Sequence, residues 1–293
     1  MLNSEWTTKI EELAAQFKEA QPYPYVVIPN FFRDDIAYAI SGSFPQAAID
    51  SNGCLAKDAS WHVYDNPVEA KLTMNSFSQH GIVESLWKFL QSEEGMLPFV
   101  RLITGIDELE ADPLLHGAGF HLHPPGGRLE MHLDYSSHPV TQKERRVNLI
   151  IYMTPEWNAK VWGGHLVLAD CEVPSQVKFI EPKFNTAILM RTADESWHGV
   201  PYPIKCPTHV VGRKSVAVYY VSNPQASNAH TRPKAKFRPI LGIRDDISDK
   251  SAYLELCKIR DERRLTPEDV ELHMPGWQKT WQEPASIPES KLD

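Results

Sequence analysis

The chain has 293 residues, 42% of them hydrophobic, which is enough apolar side chain for a large core and excludes global disorder. Its formal net charge of −8 argues against a general nucleic-acid-binding surface. Cys54, Cys171, Cys206 and Cys257 are scattered without a C-x-x-C pair, which predicts reduced thiols rather than a zinc knuckle or a disulfide framework.

The opening residues Met1 to Trp6 lack the basic start and apolar run of a signal peptide. No apolar stretch approaches the ~20 residues that span a bilayer. The expectation is a cytoplasmic protein that engages neither membrane nor nucleic acid.

Residues 5–20 read as one amphipathic helix, with Trp6, Ile10, Leu13, Ala14 and Phe17 at helical spacing, stopped by Pro22 and Pro24. The β-branched run 25–28 predicts a strand, Pro29-Asn30 a turn, and 31–40 a helix with Asp34 and Asp35 near its N-terminus. Residues 46–70 show no clear period and read as loop. A helix is expected over about 80–92, and the apolar stretch 97–102 fits helix or strand. From about 112 the texture changes to short apolar or alternating runs separated by Gly, Pro and Asn. Strands are expected at 119–123, 129–134, 147–153, 165–169, 178–180, 186–190, 198–200 and 211–222, which points to a sandwich or barrel, best a jelly roll. After Asn223-Pro224 the chain is polar and basic to Lys236. A helix then covers 248–264 with Ser248 as N-cap, and Thr266-Pro267 starts another. The last dozen residues read as a tail.

The segment around His132-Leu133-Asp134 carries the chemistry. On a strand, side chains two apart share a face, so an imidazole and a carboxylate aim at one point while Leu133 turns away. His198 follows far enough along the chain for intervening strands to bring it back. Two histidines and one carboxylate form the facial triad of non-haem iron, with open positions for oxygen and a chelating cosubstrate. Arg213 and Ser215 share a strand face, Lys214 the other, and a guanidinium fork suits a carboxylate. In 147–153 the odd positions are apolar and core-facing. Asn148 and Tyr152 alternate away from them and are candidates for cosubstrate or substrate contact, or for structural hydrogen bonding. His121 is expected to share the face of His123. His116, His138 and His165 read as structural or surface residues. Arg128, Arg145 and Arg146 read as solvated charges, with attraction of an anionic substrate as the alternative, Gly163-Gly164 as a hairpin turn, and Trp157 and Trp162 as core or pocket wall.

These residues carry a resemblance: His123-x-x-Gly126-Gly127-x-Leu129-x-x-His132-Leu133-Asp134, then 148–153, Trp162 to Leu166, His198-Gly199-Val200 and Arg213-x-Ser215, with 23–32 as the opening strand and helix. In this order they resemble the iron(II)- and 2-oxoglutarate-dependent oxygenases of the prolyl-4-hydroxylase-like branch. The resemblance covers about 22–40 and 115–222. It implies that His132, Asp134 and His198 hold iron, and that Arg213, assisted by Ser215, binds the far carboxylate of 2-oxoglutarate. His123 stands where relatives often carry a tyrosine touching that carboxylate. Asp134 fills the position that a halide needs in related halogenases, so hydroxylation is implied, with O2 consumed, succinate and CO2 released, and ascorbate as an optional reductant.

The resulting expectation is a mainly β protein with flanking helices (α+β): one oxygenase domain over 1–293, with a mostly helical buttress at 1–111, a double-stranded β-helix (jelly-roll) core at 112–223 and a helical extension at 224–293 that caps or dimerises. The expected substrate is a small molecule, an amino acid or biosynthetic intermediate. The alternatives are a prolyl or other protein side-chain hydroxylase, or a non-catalytic jelly roll that binds metal or ligand.

Overall fold

The computed structural model describes residues 1–47, 60–76, 80–224 and 232–281; Cys54, much of the stretch read as loop and the expected terminal tail lie outside the described residues. The amphipathic N-terminus forms two helices rather than one, α1 (Ser4–Thr7) and α2 (Ile10–Glu19). Asn3 caps α1, and the hydroxyls of Thr7 and Thr8 donate back to the Ser4 carbonyl, a local bond that competes with helix continuation. Strand β1 (Tyr25–Ile28) follows as expected. Helix α3 (Asp34–Gly42) starts later than its periodicity suggests, because Phe31 and Phe32 are extended plugs of the core, fully buried and worth about 1.5–3 kcal/mol each.

The stretch read as loop is corrected. Its described part forms β2 (His62–Asp65) and the beginning of β3 (Glu69–Met74), an antiparallel hairpin. Helices α4 (Gly81–Gln91) and α5 (Leu97–Thr104) lead to β4 (Glu110–Ala111). Every strand expected after residue 112 is present: β5 (Gly119–His123), β6 (Arg128–Leu133), β7 (Glu144–Tyr152), β8 (Leu166–Ala169), β9 (Val177–Ile180), β10 (Thr186–Arg191), β11 (Trp197–Val200) and β12 (Arg213–Ser222). A one-turn helix, α6 (Ala159–Trp162), precedes β8, so Gly163 and Gly164 turn a helix into a strand rather than joining two strands. Beyond the core come β13 (Lys236–Phe237), α7 (Lys250–Glu262) and α8 (Pro267–His273). Asp249, not Ser248, caps α7, accepting from the Ala252 N–H. Thr266 starts α8 as expected, with a reciprocal capping box to Asp269.

The strands form one curled antiparallel sheet in the order β1-β10-β7-β12-β5-β3-β6-β11-β8-β9, a jelly roll flanked by N- and C-terminal helices. Strand β3 carries the sheet round its bend, pairing with β5 through Leu72, Thr73 and Met74 and with β6 through Glu69 and Ala70. Gly119 permits the close approach of β5 to β3: at φ +114, any Cβ there would lie 2.1 Å from the Met74 carbonyl oxygen. The outer face of β7 contributes Val147, Leu149 and Ile151 to the main core, where Trp6, Leu13 and Phe17 from the N-terminal helices also pack. The inner face of the curl carries the polar residues of the cavity, with Ile150, Leu166 and Val200 among them. At the other side, β13 pairs with β6, and Tyr253, Leu256 and Cys257 of α7 pack with Val68 and Phe237.

Candidate active site

Strand geometry sets the site. His132 and Asp134 project from β6 and its end into the curl, while Leu133 turns into an apolar cluster with Met131 and Trp197. Strand β11 pairs antiparallel with β6 so that His198 lies directly opposite His132. Their rings are 4.3 Å apart, centroid to centroid. His132 Nε2 is 3.6 Å from Asp134 Oδ1, and His198 Nε2 is 3.4 Å from Asp134 Oδ2. Ligand atoms of the three buried residues all lie within 4.8 Å of one another.

The second nitrogen of each ring is fixed. His132 Nδ1 lies 3.0 Å from the Glu130 carbonyl oxygen, and His198 Nδ1 lies 2.9 Å from that of Ser196. A carbonyl only accepts, so each Nδ1 carries the proton and each Nε2 turns a lone pair towards the common point. Burial pushes His198 down to about 4, with His132 adding to the shift, so the ring is neutral at pH 7 as a ligand must be. For Asp134, burial alone would raise the carboxyl. Arg145, with His198 and His132, outweighs it and holds the group well below the usual carboxylate range. The donor set, two neutral imidazoles and one carboxylate, fits iron(II) with positions left open.

Arg145 is the functional residue that strand alternation misses. It is buried, not solvated: Nη2 lies 3.0 Å from Asp134 Oδ2, and Nε donates to Asn148 Oδ1 at 2.8 Å. Its guanidinium lies over the Tyr219 ring at 3.2 Å. The register between β7 and β12 slips by one residue at this point, with Tyr220 opposite Val147 but Val221 opposite Arg145. That bulge turns Arg145 onto the face of Asn148, against the alternation set by Val147 and Leu149. Asn148 in turn donates to Asp134 Oδ2 at 2.7 Å, so it orients the carboxylate. Arg128 is likewise part-buried, donating to the carbonyls of Asn66, Pro67 and Gly126, and Arg146 donates to Ser222 Oγ.

A cavity of about 200 Å³ opens onto the triad. Its lining includes His121, His123, Asn148, Arg213 and Ser215, which brings together every expected site residue except Tyr152. Tyr152 lies just behind the wall, its ring 5.3 Å from the Arg213 guanidinium. Arg213 sits opposite His123 on β5, and Ser215 opposite His121. Arg213 Nη1 donates to the Gly164 carbonyl at 2.9 Å, and Nη2 lies 3.4 Å from His123 Nδ1. Burial, then the Arg213 charge, push His123 well below the ordinary imidazole value, so it is neutral. Among the described residues, Arg213 Nε, His123 Nε2 and Tyr152 Oη are buried without a hydrogen-bond partner.

His116 lines the cavity, whereas His138 is fully buried beside Asp112, with Nε2 3.4 Å from Oδ1. Trp157 and Trp162 pack with Ala159, Ile204 and Cys206 and do not line the cavity. The C-terminal segment does: Ala235, Phe237 and Arg260 contribute to the wall, and the Phe237 ring stacks on His132 at 5.2 Å.

Residues 118–221 match the model of the 2OG-Fe(II) oxygenase superfamily. The core has the fold of a 2OG-Fe(II) oxygenase. Its triad is a metal-binding site and its chemistry that of an enzyme. Among solved structures, the oxygenase core is similar to a prolyl hydroxylase from Trichoplax adhaerens in complex with a hypoxia inducible factor oxygen degradation domain peptide fragment, at 17% identity and TM-score 0.50 over 75% of this chain and 94% of that one. A Burkholderia pseudomallei oxidoreductase of the 2OG-Fe(II) oxygenase family matches at 14% identity and TM-score 0.49, over 74% and 94% of the two chains. A Pseudomonas putida prolyl-4-hydroxylase matches at 15% identity and TM-score 0.47, over 72% and 99%. No curated protein matches this chain in sequence. No described helix of it is long and apolar enough to cross a membrane.

Proposed function

We propose that the protein is an iron(II)- and 2-oxoglutarate-dependent dioxygenase that hydroxylates an aliphatic carbon of a prolyl or similar side chain presented on a polypeptide. One observation carries the cosubstrate reading: the buried triad shares its cavity with a buried arginine, and the donors around that arginine are unsatisfied. Buried polar groups normally find partners, so Arg213 Nε, Tyr152 Oη and His123 Nε2 fit a carboxylate delivered from outside the chain. Arg213 and Ser215 then hold the far carboxylate of 2-oxoglutarate, with Tyr152 and His123 beside it. Asn148 is assigned to Asp134 rather than to the cosubstrate.

Bound iron(II) and 2-oxoglutarate supply the oxidising equivalent from O2, with release of succinate and CO2. The chain's own work is orientation and exclusion of water. His132, Asp134 and His198 would hold the iron. Arg145 and Asn148 keep the Asp134 carboxylate turned inward, which leaves no ligand position for a halide and favours hydroxylation. The apolar ring of Phe237 shields His132 from solvent.

The peptide substrate is supported by the Trichoplax adhaerens structure, whose bound partner is a peptide fragment. It replaces the small molecule expected from the sequence. A second reading, a free amino acid, keeps support from the residues that the C-terminal segment folds over the cavity.

Anaerobic addition of iron(II) and 2-oxoglutarate should give a weak visible charge-transfer band, lost in His132→Ala. A panel of proline-containing peptides and free amino acids, screened for substrate-triggered succinate release, separates the two substrate readings. A wild-type protein that gives no band and releases no succinate with any of them would overturn the oxygenase proposal.

A further inference from the structure

Lys71 is a cation that the iron and cosubstrate chemistry leaves unused. It stands on β3, where Leu72 pairs with Leu122 of β5, so Lys71 falls on the same row of the sheet as His123 and Arg213. His123 lies between them. Two strand spacings, roughly 10 Å, separate the backbones of Lys71 and Arg213. Lys71 lines the same cavity as the triad, and its side chain is only 16% exposed.

Its surroundings leave it under-partnered. The nearest carboxylate oxygen is Glu69 Oε2, at 3.8 Å, beyond hydrogen-bonding distance. Glu69 turns its other oxygen to Arg260 of α7, and Oε2 itself makes no hydrogen bond, so the Lys71–Glu69 contact is an ion pair at long range only. Lys71 Nζ otherwise lies 5.5 Å from the centroid of the Tyr64 ring. Among the described residues it donates no hydrogen bond to protein. Burial lowers its pKa, and the charge of Glu69, at 3.8 Å, offsets that only in part.

The charge of the cavity points the same way. Its wall carries four cations, Lys71, Arg145, Arg213 and Arg260, against two carboxylates, Glu69 and Asp134. Iron(II) and doubly charged 2-oxoglutarate offset each other, so the loaded site remains positive, inside a chain whose net charge is −8. Such a site focuses field on an incoming anion.

We propose that the substrate carries a carboxylate close to the carbon that is oxidised, and that Lys71 binds it on the side of His123 away from Arg213. The carboxylate comes from an acidic residue neighbouring the target in a peptide or from the α-carboxylate of an amino acid. This inference rests on the dioxygenase reading above and names the substrate group that it leaves open.

The test uses the iron(II)-loaded full chain and a matched panel: blocked proline dipeptides with Asp or Glu beside the proline, their Asn and Gln counterparts, and free proline with prolinamide. Succinate release should favour the acid of a pair by about ten- to a hundredfold, the size of one charge-assisted hydrogen bond. Lys71→Met should abolish that preference and Lys71→Arg should keep much of it. The charge-transfer band with 2-oxoglutarate should be unchanged in both variants. Acids and amides accepted equally, a preference that survives Lys71→Met, or no acid in the panel triggering release would overturn the assignment. A Lys71→Met variant that needs more 2-oxoglutarate would show instead that Lys71 serves the cosubstrate. Absence of the band in the wild type is the separate outcome that removes the dioxygenase reading itself.

Discussion

Arg145 supplies no ligand atom, yet the geometry of Asp134 depends on it. Its guanidinium and the Asn148 amide both engage Asp134 Oδ2, while tyrosine rings fix the guanidinium in place. Partners of this kind typically account for ten- to a hundredfold in metal affinity, so Arg145→Met is expected to weaken iron(II) binding by about that factor. Lysine in its place should recover little, because it lacks the fork and the stacking plane. Metal titration of the purified variants reads the effect directly; affinity equal to wild type would remove Arg145 from the site. Arg213→Ala makes the opposite prediction. It should raise the 2-oxoglutarate requirement about ten- to a hundredfold while leaving iron(II) affinity near wild type, because Arg213 bonds to Gly164 and His123 and not to the triad. An unchanged requirement would show that the cosubstrate lies elsewhere. The two arginines also differ in legibility. Arg213 follows the alternation of its strand and could be read from the sequence beside Ser215. Arg145 sits past a bulge that reverses the alternation, and no single-sequence pattern announces a bulge formed by mispairing with a strand about seventy residues away.

At the scale of elements, the site depends on how closely β11 can lie against β6. Gly199 follows His198, and a Cβ there would stand 2.8 Å from the Leu129 carbonyl oxygen and 2.9 Å from that of Glu130. All of these are backbone atoms, so the strands would have to part. Gly199→Ala should therefore cost about 1–3 kcal/mol of stability and also weaken iron(II) binding, because His198 would move off His132. Thermal unfolding and metal titration on the same preparation test both halves; a stable variant with unchanged affinity would show that β11 has room to spare. The core strands from β5 to β12 were readable because each alternates or runs apolar between Gly, Pro and Asn breaks. Strands β2 and β3 were not. In Glu69–Met74 the inward residues Glu69 and Lys71 are charged, since they face a polar cavity, and the usual contrast between buried apolar and exposed polar positions is inverted. The hairpin that carries the sheet round its bend thus reads as loop in the sequence.

For the whole molecule, the segment after residue 231 is part of the site's support, which the family resemblance does not reach. Strand β13 pairs along β6 and lays Phe237 against His132. Arg232 Nε donates to the Asp134 backbone carbonyl at 2.7 Å. A further tie is a buried ion pair: Arg244 Nη1 bonds Glu130, two residues before His132, and Tyr253 Oη of α7 donates to the same carboxylate at 2.7 Å. Burial pushes the Glu130 carboxyl up to about 7, with Arg244 the leading influence that draws it down. Arg244→Met would leave that carboxyl buried with its cation gone. Breaking one partner of such a pair typically costs about 3–5 kcal/mol, whereas removing both together costs much less. Arg244→Met should therefore be strongly destabilised towards chemical denaturant, and Arg244→Met with Glu130→Gln should recover a large part of the loss, since the amide keeps hydrogen-bonding capacity for Tyr253 and the Met131 N–H. A double-mutant cycle measures that coupling. If the two substitutions simply add, Glu130 and Arg244 act independently, and the C-terminal segment is held to β6 by its other ties, the β13 pairing and the apolar packing of Tyr253, Leu256 and Cys257 among them.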